Sequence, residues 1–413
     1  MSEWREYRLD EIGQVVGGGT PSSKVNAYWN GDVGWVTPAD LSGYQFKHIG
    51  NGSRDITELG LKKSSAKLHP KNTVLMTSRA PIGYLAIADK PVATNQGFQS
   101  IRCNEDIADF NFIYYLLGAY KEGIALIASG ATFPEVSGGK VRQYKIKLPP
   151  LPTQQKIAKI LSNYDDLIEN NLKRIKLLEE SARLTYEEWF LRFRIDGKKL
   201  DIDPESGLPF GWLNKSFGDV FNINNGYAFK SGDYAEHGVP ILRTRDYSQT
   251  KWIKIDQPIY ISEELSQKYT KYYVQEYDLM LIMVGASIGN YGVVLPNDTG
   301  LLQNQNQWAI RVNNGFEKYI FYKLLMMEDL IKNLLTKKTG AARDFFRASF
   351  LKELDILLPD EDTVTLLNKT VQPTFEEINN LQHQNQLLKE ARDILLPRLM
   401  TGMIDTDELD IAI

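Results

Sequence analysis

The sequence predicts an α+β fold in which two long antiparallel helices join and space two similar domains with pseudo-twofold symmetry. Three observations predict it: a diverged internal repeat, short β-rich segments in each copy, and a helical segment with coiled-coil spacing after each copy. The expected order is a first domain over 1–150, a helix over 151–195, a linker over 196–211, a second domain over 212–358, a helix over 359–402 and an acidic tail over 403–413.

The repeat is visible at matched positions of the two domains. Asp40 matches Asp246 at an offset of 206 residues, and NQGFQSI at 95–101 matches NQNQWAI at 304–310 at an offset of 209. An offset that drifts by a few residues indicates loop insertions in one shared fold, whereas a solenoid would repeat at much shorter periods.

Each copy combines short strands with a helix. Turn residues separate the β-rich segments, which are DVGWVTPADL, NTVLMTSRAPIGYLAIAD and QSIRCN in the first copy and VPILRTRDY, DLMLIMVGASIGNYGVVL and QWAIRV in the second. One helix is expected at 108–129, and its counterpart at 316–337.

A long helix is expected after Pro149 and another after Pro359, the second ending near Gly402. Apolar residues recur at spacings of 4 and 3 in both, which is typical of a coiled-coil seam, although packing of both helices into an ordinary core is an alternative. The seam positions are Ile157, Leu161, Tyr164, Ile168, Asn171, Ile175, Leu178, Ala182, Thr185 and Trp189, then Leu367, Val371, Thr374, Ile378, Leu381, Asn385, Leu388, Arg392, Leu395 and Leu399.

Each seam contains one asparagine, and the two do not occupy equivalent positions of the repeat. Parallel helices in register would bury each amide against an aliphatic side chain, at a cost of about 1–3 kcal/mol for an unpaired polar group. Antiparallel helices whose partner numbers sum to 556 bring Asn171 against Asn385. The sequence therefore predicts an antiparallel pair with these side chains in contact.

Composition excludes several classes of protein. The 413 residues contain no apolar stretch long enough for a membrane span, so a soluble, unexported protein is expected. One cysteine and four histidines exclude a disulfide framework and a Cys/His metal cluster, and they favour the reducing cytoplasm. Net charge is +3 over 1–150 and +1 over 212–358, against −7 over 359–413. The domains are thus mildly basic, which a nucleic-acid binder requires, although solvated surface lysines also explain it.

Motifs for catalysis are absent from the sequence. It contains no phosphate-binding loop with GKS or GKT and no GxGxxG after a strand. The second copy has NNGYA at 224–228 in the region of GGGTP at 17–21, and it keeps one glycine: Gly226, which matches Gly18 at an offset of 208 residues. This favours a tight turn or a close backbone approach over cofactor binding. We therefore expect no catalytic residues and no bound cofactor or metal.

Four stretches carry a family resemblance: VVGGGTPSSKVNAYWNGDVGWVTPADL, TSRAPIG, ATNQGF and SGATFPEVSGGKVRQYKIKLPPLPTQQKIAKIL. They resemble the specificity subunit of type I restriction-modification enzymes, and the resemblance extends over essentially the whole chain. NNGYAFKSGDY and TKKTGAARDFFRASF are recognisable variants in the second copy, where PDEDT replaces the usual Leu-Pro-Pro-Leu.

The resemblance implies a reader of double-stranded DNA without chemistry of its own. Each target-recognition domain would read one half of a split, asymmetric sequence. Two modification (methyltransferase) subunits would bring S-adenosylmethionine, and two restriction (translocase and nuclease) subunits would bring ATP. A self-sufficient methyltransferase or nuclease, and a scaffold that binds only protein, are the alternatives.

The hydrogen-bonding groups of bases and phosphates indicate which side chains are expected to contact DNA. Arginine suits guanine, asparagine or glutamine suits adenine, and lysine or threonine suits phosphate. Gln96 and Gln305 have an alternative interpretation as buried structural amides. The expected contacts are Thr20, Lys24, Thr37, Arg79, Gln96, Thr132 and Lys140 in the first domain, and Tyr227, Lys230, Arg243, Arg245, Ser287, Gln305, Arg343 and Arg347 in the second.

Overall fold

The computed structural model describes residues 4–79, 81–130, 134–247, 251–253, 255, 257–336 and 345–404. The chain divides into two compact units. The first unit is Met1–Leu172 with Gln384–Ile413, and the second unit is Lys173–His383. Each unit therefore contains one domain of the repeat together with part of each long helix.

The first unit contains three sheets, ordered β2-β9-β6-β7-β4, β3-β8-β5 and β1-β10. Its strands are β1 (Arg5–Arg8), β2 (Gly13–Gly17), β3 (Trp29–Val36), β4 (His48–Ile49), β5 (Leu68–His69), β6 (Val74–Met76), β7 (Leu85–Ala88), β8 (Val92–Thr94), β9 (Gln99–Cys103) and β10 (Lys145–Leu148). Its short helices are α1 (Glu58–Lys62), α2 (Phe110–Ala119), α3 (Lys121–Leu126) and α4 (Gly138–Gln143).

The long helices are α5 (Leu151–Tyr186) and α10 (Glu361–Met400), and the second unit supplies the remaining elements. Its strands are β11 (Arg194–Ile195), β12 (Lys198–Lys199), β13 (Leu213–Ser216), β14 (Phe221–Asn225), β15 (Tyr234–Ala235), β16 (Val239–Leu242), β17 (Tyr260–Ile261), β18 (Leu279–Ile282), β19 (Tyr291–Val293), β20 (Leu302–Gln303), β21 (Gln307–Val312) and β22 (Asp355–Leu358). Its short helices are α6 (Phe217–Val220), α7 (Glu263–Ser266), α8 (Ile320–Thr336) and α9 (Ala348–Lys352).

Strand pairing confirms the internal repeat. The antiparallel pair β2 and β9 has its counterpart in β14 and β21, and the parallel pair β3 and β8 has its counterpart in β16 and β20. The outermost strands of each copy also pair in the same antiparallel way, β1 with β10 and β13 with β22. Because these pairings join distant segments, their recurrence indicates one fold used twice.

The helix expected at 108–129 is two helices, and that expectation was wrong. The chain leaves helical geometry at Tyr120, between α2 and α3. Gly118 and Gly123 flank the break, and each lowers helix propensity by about 1 kcal/mol relative to alanine. The counterpart α8 has neither glycine and is continuous, after a 3₁₀ turn at Glu317–Tyr319.

The helix expected at 151–195 is shorter than predicted. The α-helix ends at Tyr186, a π-helical turn follows over Glu187–Leu191, and the chain continues into β11. The end of the expected helix and the start of the expected linker form a hairpin of β11 and β12, with its turn at Asp196 and Gly197, both of which have positive φ. Trp189 is buried as predicted, and Gly402 has φ +72° just beyond the end of α10, as expected of a helix stop.

The antiparallel seam is present in the first unit. Nδ2 of Asn171 donates to Oδ1 of Asn385 at 3.0 Å, and six residues earlier along α5 Asp165 accepts from Arg392 at 2.5 Å. Between these two contacts the residue number decreases along α5 and increases along α10, which defines antiparallel helices. The predicted contact between the two asparagines is therefore confirmed.

Candidate functional site

Loops of each unit meet at one edge of its main sheet. In the first unit β2 and β6 end at Gly17 and Met76, where β9 begins at Gln99. β14 and β18 end, and β21 begins, at the same edge in the second unit. Antiparallel pairing of these strands brings the loops together. We call this place the loop edge of each unit.

An Asn-Gln loop lies at the centre of each loop edge: Asn95–Gly97 in the first unit and Asn304–Asn306 in the second. A Cβ at Gly18 would lie 2.1 Å from the carbonyl oxygen of Asn95, and one at Gly226 would lie 1.9 Å from that of Asn304. Both glycines are thus required by close approach of the chain's own backbone. The sequence had left open a tight turn or an approach to a partner.

Four residues expected to contact DNA gather around the loop of the first unit. The Thr20 hydroxyl donates to Oε1 of Gln96. Asn95 N donates to Val36 O at 3.0 Å, which places Thr37 beside the loop, and Ser78 N donates to Gly97 O at 2.7 Å, which places Arg79 there.

The remaining expected residues of the first unit differ in position. Lys24 is exposed in the segment that follows Thr20. Lys140 lies in α4, and its Nζ donates to Ile127 O at 2.7 Å and to Ser129 Oγ at 2.6 Å. Thr132 lies outside the described residues.

The second unit gathers its expected residues in the same way. Gln305 N donates to Tyr227 O at 2.9 Å, and Asn304 N donates to Leu242 O at 3.1 Å, next to Arg243. Met283 N donates to Asn306 O at 3.1 Å, at the start of the turn that holds Ser287.

Lys230, Ser287 and Arg347 are exposed in the second unit. The Arg347 guanidinium lies 5.9 Å from the ring centroid of Phe345 and 5.7 Å from that of Phe350. Arg343 lies outside the described residues.

Both loop glutamines are exposed. The alternative that Gln96 and Gln305 are buried structural amides therefore does not hold. Buried amides of the second unit belong instead to Gln303, which donates to Gln307 O at 3.0 Å, and to Gln307, which donates to Leu242 O at 2.7 Å.

Arg243 requires a correction, because its side chain is only 11% exposed and is occupied within the protein. Asp246 accepts from the Arg243 backbone N at 2.8 Å and from its Nε at 3.3 Å, so the guanidinium closes a turn. The side chain of Arg245 is 57% exposed. Of the two arginines, Arg245 has the more exposed guanidinium, although its Nη2 also donates to Gln257 O at 3.3 Å.

The first unit builds the equivalent turn with threonine. Asp40 accepts from Thr37 N at 2.8 Å and from Thr37 Oγ1 at 2.7 Å, and also from Ser53 N at 2.8 Å. Burial raises the pKa of the Asp40 carboxyl, but these hydrogen bonds outweigh it and the pKa is lowered. Asp40 therefore stays ionised and holds the turn.

Sequence reasoning missed one basic stretch in each unit. Residues 62–67 begin at the last residue of α1, and a Cβ at Gly19 would lie 2.5 Å from the backbone N of Ala66, so this stretch adjoins the loop edge. Residues 268–272 follow α7, and the ring of Tyr227 lies 4.6 Å from Tyr269. The signal was available, since KKSSAK and KYTKY occupy matching places of the repeat.

Within the described part of the chain, no group of three or more His, Cys, Asp or Glu side chains is arranged to hold a metal ion. Among the helices described, none has the length and apolar composition needed to cross a membrane.

Comparison with known proteins decides the family. The type I restriction modification DNA specificity domain matches the chain twice, over residues 1–180 and 209–389. The chain belongs to this family. It is 32% identical over 98% of its length to the type I restriction enzyme MjaIX specificity subunit of Methanocaldococcus jannaschii, and it covers 95% of that protein.

A second relative and a solved structure are also similar to the chain. The EcoR124I/EcoR124II specificity subunit of Escherichia coli is 31% identical over 45% of this chain and 46% of its own length. The crystal structure of the S subunit of a type I restriction-modification system from M. genitalium shares the fold with a TM-score of 0.58, 17% identity and coverage of 96% of both chains. This specificity subunit therefore recognises DNA for a type I restriction-modification system.

Proposed function

We propose that each unit reads one half of a split, asymmetric double-stranded DNA sequence with its loop edge. The observation that carries this proposal is that both units have a loop edge formed by equivalent strands, but the exposed side chains on the two loop edges differ. Ala39 and Arg245 occupy the same place in equivalent turns, and Arg79 corresponds to Gly285. Two readers with one backbone and different side chains suit a target whose halves differ.

Each of these groups suits a distinct DNA partner, although Arg79 is only partly exposed and its Nη1 also donates to Oε2 of Glu135 at 3.4 Å. The Arg245 and Arg79 guanidinium groups match the two acceptors of guanine, and the loop glutamines match adenine. Lys24, Lys230 and the basic stretches suit phosphate oxygens, which position the protein without reading sequence. Binding would weaken steeply with salt because neutralised phosphates release counterions.

We further propose that chemistry belongs to partner subunits in the cytoplasm. Two modification subunits would supply S-adenosylmethionine, and two restriction subunits would supply ATP-driven translocation and cleavage, while this chain supplies no catalytic residue. Exposed apolar side chains recur at heptad spacing on the long helices, a pattern that suits docking of partner helices. They are Leu177 and Leu184 on α5 in the second unit, and Leu387 and Ile394 on α10 in the first; Leu191, in the π-helical turn after α5, is also exposed.

DNA methylation by the full chain with and without its modification subunits tests this function. We expect sequence-specific methylation only from the mixture, and salt-dependent DNA binding by the complex. S-adenosylmethionine binding and methylation by the chain alone would instead identify a self-sufficient methyltransferase. Absence of salt-dependent DNA affinity would identify a scaffold for proteins.

A further inference from the structure

The two Asn-Gln loops present the same side chain at the same place in both units. Gln96 and Gln305 are equivalent in the repeat and both are exposed. Around them the exposed side chains differ, as Ala39 and Arg245 do. A shared exposed amide among dissimilar neighbours indicates one contact that both units make.

Each loop holds its glutamine on a fixed backbone. The side-chain Oδ1 of Asn95 accepts from Gly97 N at 2.8 Å, and that of Asn304 accepts from Gln305 N at 2.7 Å. The close approach of Gly18 and Gly226 holds the other side of each loop. Such preorganisation lowers the entropy that a base contact would otherwise cost.

Thr20 orients the amide in the first unit. Its hydroxyl donates to Oε1 of Gln96. An amide oxygen accepts two hydrogen bonds, so Oε1 can take a second one while Nε2 donates. An acceptor beside a donor is what the N6 amino group and N7 of adenine require in the major groove. Ala228 stands at the place of Thr20 in the second unit and offers no hydroxyl.

We propose that Gln96 and Gln305 each read an adenine, so that the two half-sites share an A·T pair at equivalent positions although their other bases differ. The proposal rests on the function proposed above, in which each loop edge reads one half-site, and it places each loop edge against the major groove of that half-site. Thr20 is a positioning residue, and discrimination for adenine is sharper in the half-site of the first unit.

Selection of duplexes with randomised half-sites, using the full chain with its modification subunits, tests the proposal. Gln96→Ala should lower the preference for adenine by roughly 5- to 150-fold in one half only, and Gln305→Ala should do so in the other half. Gln275→Ala is the matched control, because Gln275 is exposed and precedes β18, at the sheet edge opposite the loop edge. It should leave both halves unchanged.

Thr20 has its own readout in the same selection. Thr20→Ala should weaken adenine discrimination in the half that Gln96→Ala affects, and Thr20→Ser should restore it. The proposal is overturned if the wild-type protein selects a specific target in which adenine preference survives both glutamine substitutions. Selection of no specific sequence by the wild-type protein would overturn the proposed function itself.

Discussion

Equivalent turns of the two units each contain an aspartate at the same position, but the side chain that donates to it differs. In the first unit Asp40 accepts from the backbone and hydroxyl of Thr37, and in the second Asp246 accepts from the backbone and guanidinium of Arg243. The backbone bond is 2.8 Å in both. The carboxylate is therefore the constant part of the turn, and the residue three positions earlier is free to vary.

The seam shows a second contrast between the units. Asn171 and Asn385 form one polar layer in the first unit, and the repeat places Leu381 and Ile175 at the equivalent positions of the second. All four side chains are buried. The same helix packing thus accommodates either a pair of asparagines or a pair of aliphatic residues. A buried asparagine layer fixes register in other coiled coils, and here it lies in the first unit.

Removing each aspartate should have the largest effect and should separate the two turns. Asp246→Ala leaves the nearly buried Arg243 charge without its partner, at a cost of about 3–5 kcal/mol. Asp40→Ala removes only hydrogen bonds to neutral groups, at a cost of about 1–3 kcal/mol. Opening free energies from amide hydrogen exchange, read separately in each unit, measure both. Equal losses would refute the contrast.

A buried lysine should give the second unit a pH dependence that the first lacks. Lys323 is buried in α8, and its Nζ donates to Tyr277 O at 2.6 Å. Burial lowers the pKa of Lys323 to about 8, against an ordinary value of 10.5. Between these values the folded state binds fewer protons than the unfolded state, so stability should rise with pH, by at most about 1.4 kcal/mol per pH unit.

The experiment compares hydrogen-exchange stability of the second unit at pH 8 and pH 9, corrected for intrinsic exchange rates. Burial raises the pKa of Tyr277, so ionisation of that tyrosine would act in the opposite direction only at higher pH. Lys323→Met is the control, and it should abolish the rise. A rise of the same size in this variant would assign the effect to other groups.

The polar layer should respond to single and double replacement in opposite ways. Asn385→Leu leaves the Asn171 amide facing an aliphatic side chain and should cost about 1–3 kcal/mol. Asn171→Leu with Asn385→Ile copies the apolar layer of the second unit. Because Nδ2 of Asn385 is buried without a partner among the described residues, the double variant should be at least as stable as the wild type. The free energy of unfolding of the helix pair in the first unit, measured by hydrogen exchange at increasing denaturant concentration, distinguishes these outcomes.

Sequence predicted the parts of the fold that depend on periodicity and repetition. Heptad spacing gave the long helices and the pairing of Asn171 with Asn385, and the repeat gave two α+β domains. It could not give the π-helical turn after Tyr186, which depends on tertiary packing of Trp189 and Phe190. Helix propensity around Gly118 was available but was overlooked.

Placement of the candidate site was predictable only in outline. Strand order, which the sequence did not specify, brings Thr20, Arg79 and Gln96 to one edge. The sequence alone does not distinguish Arg243 from Arg245, which both follow β16. The structure does, because the carboxylate of Asp246 engages Arg243 from within the turn and leaves Arg245 exposed. A short-range pairing of this kind needs coordinates to be seen.

Sequencing of methylated sites, with the full complex and matched variants, tests the central claim that each unit reads its own half-site. Arg245→Ala removes the exposed guanidinium from the second unit, and Ala39→Arg adds one at the equivalent place in the first. We predict that Arg245→Ala relaxes one half-site by about 1–3 kcal/mol per lost base contact, and that Ala39→Arg changes the base preference of the other half only. Changes in both halves from either substitution, or in the same half from both, would contradict the account.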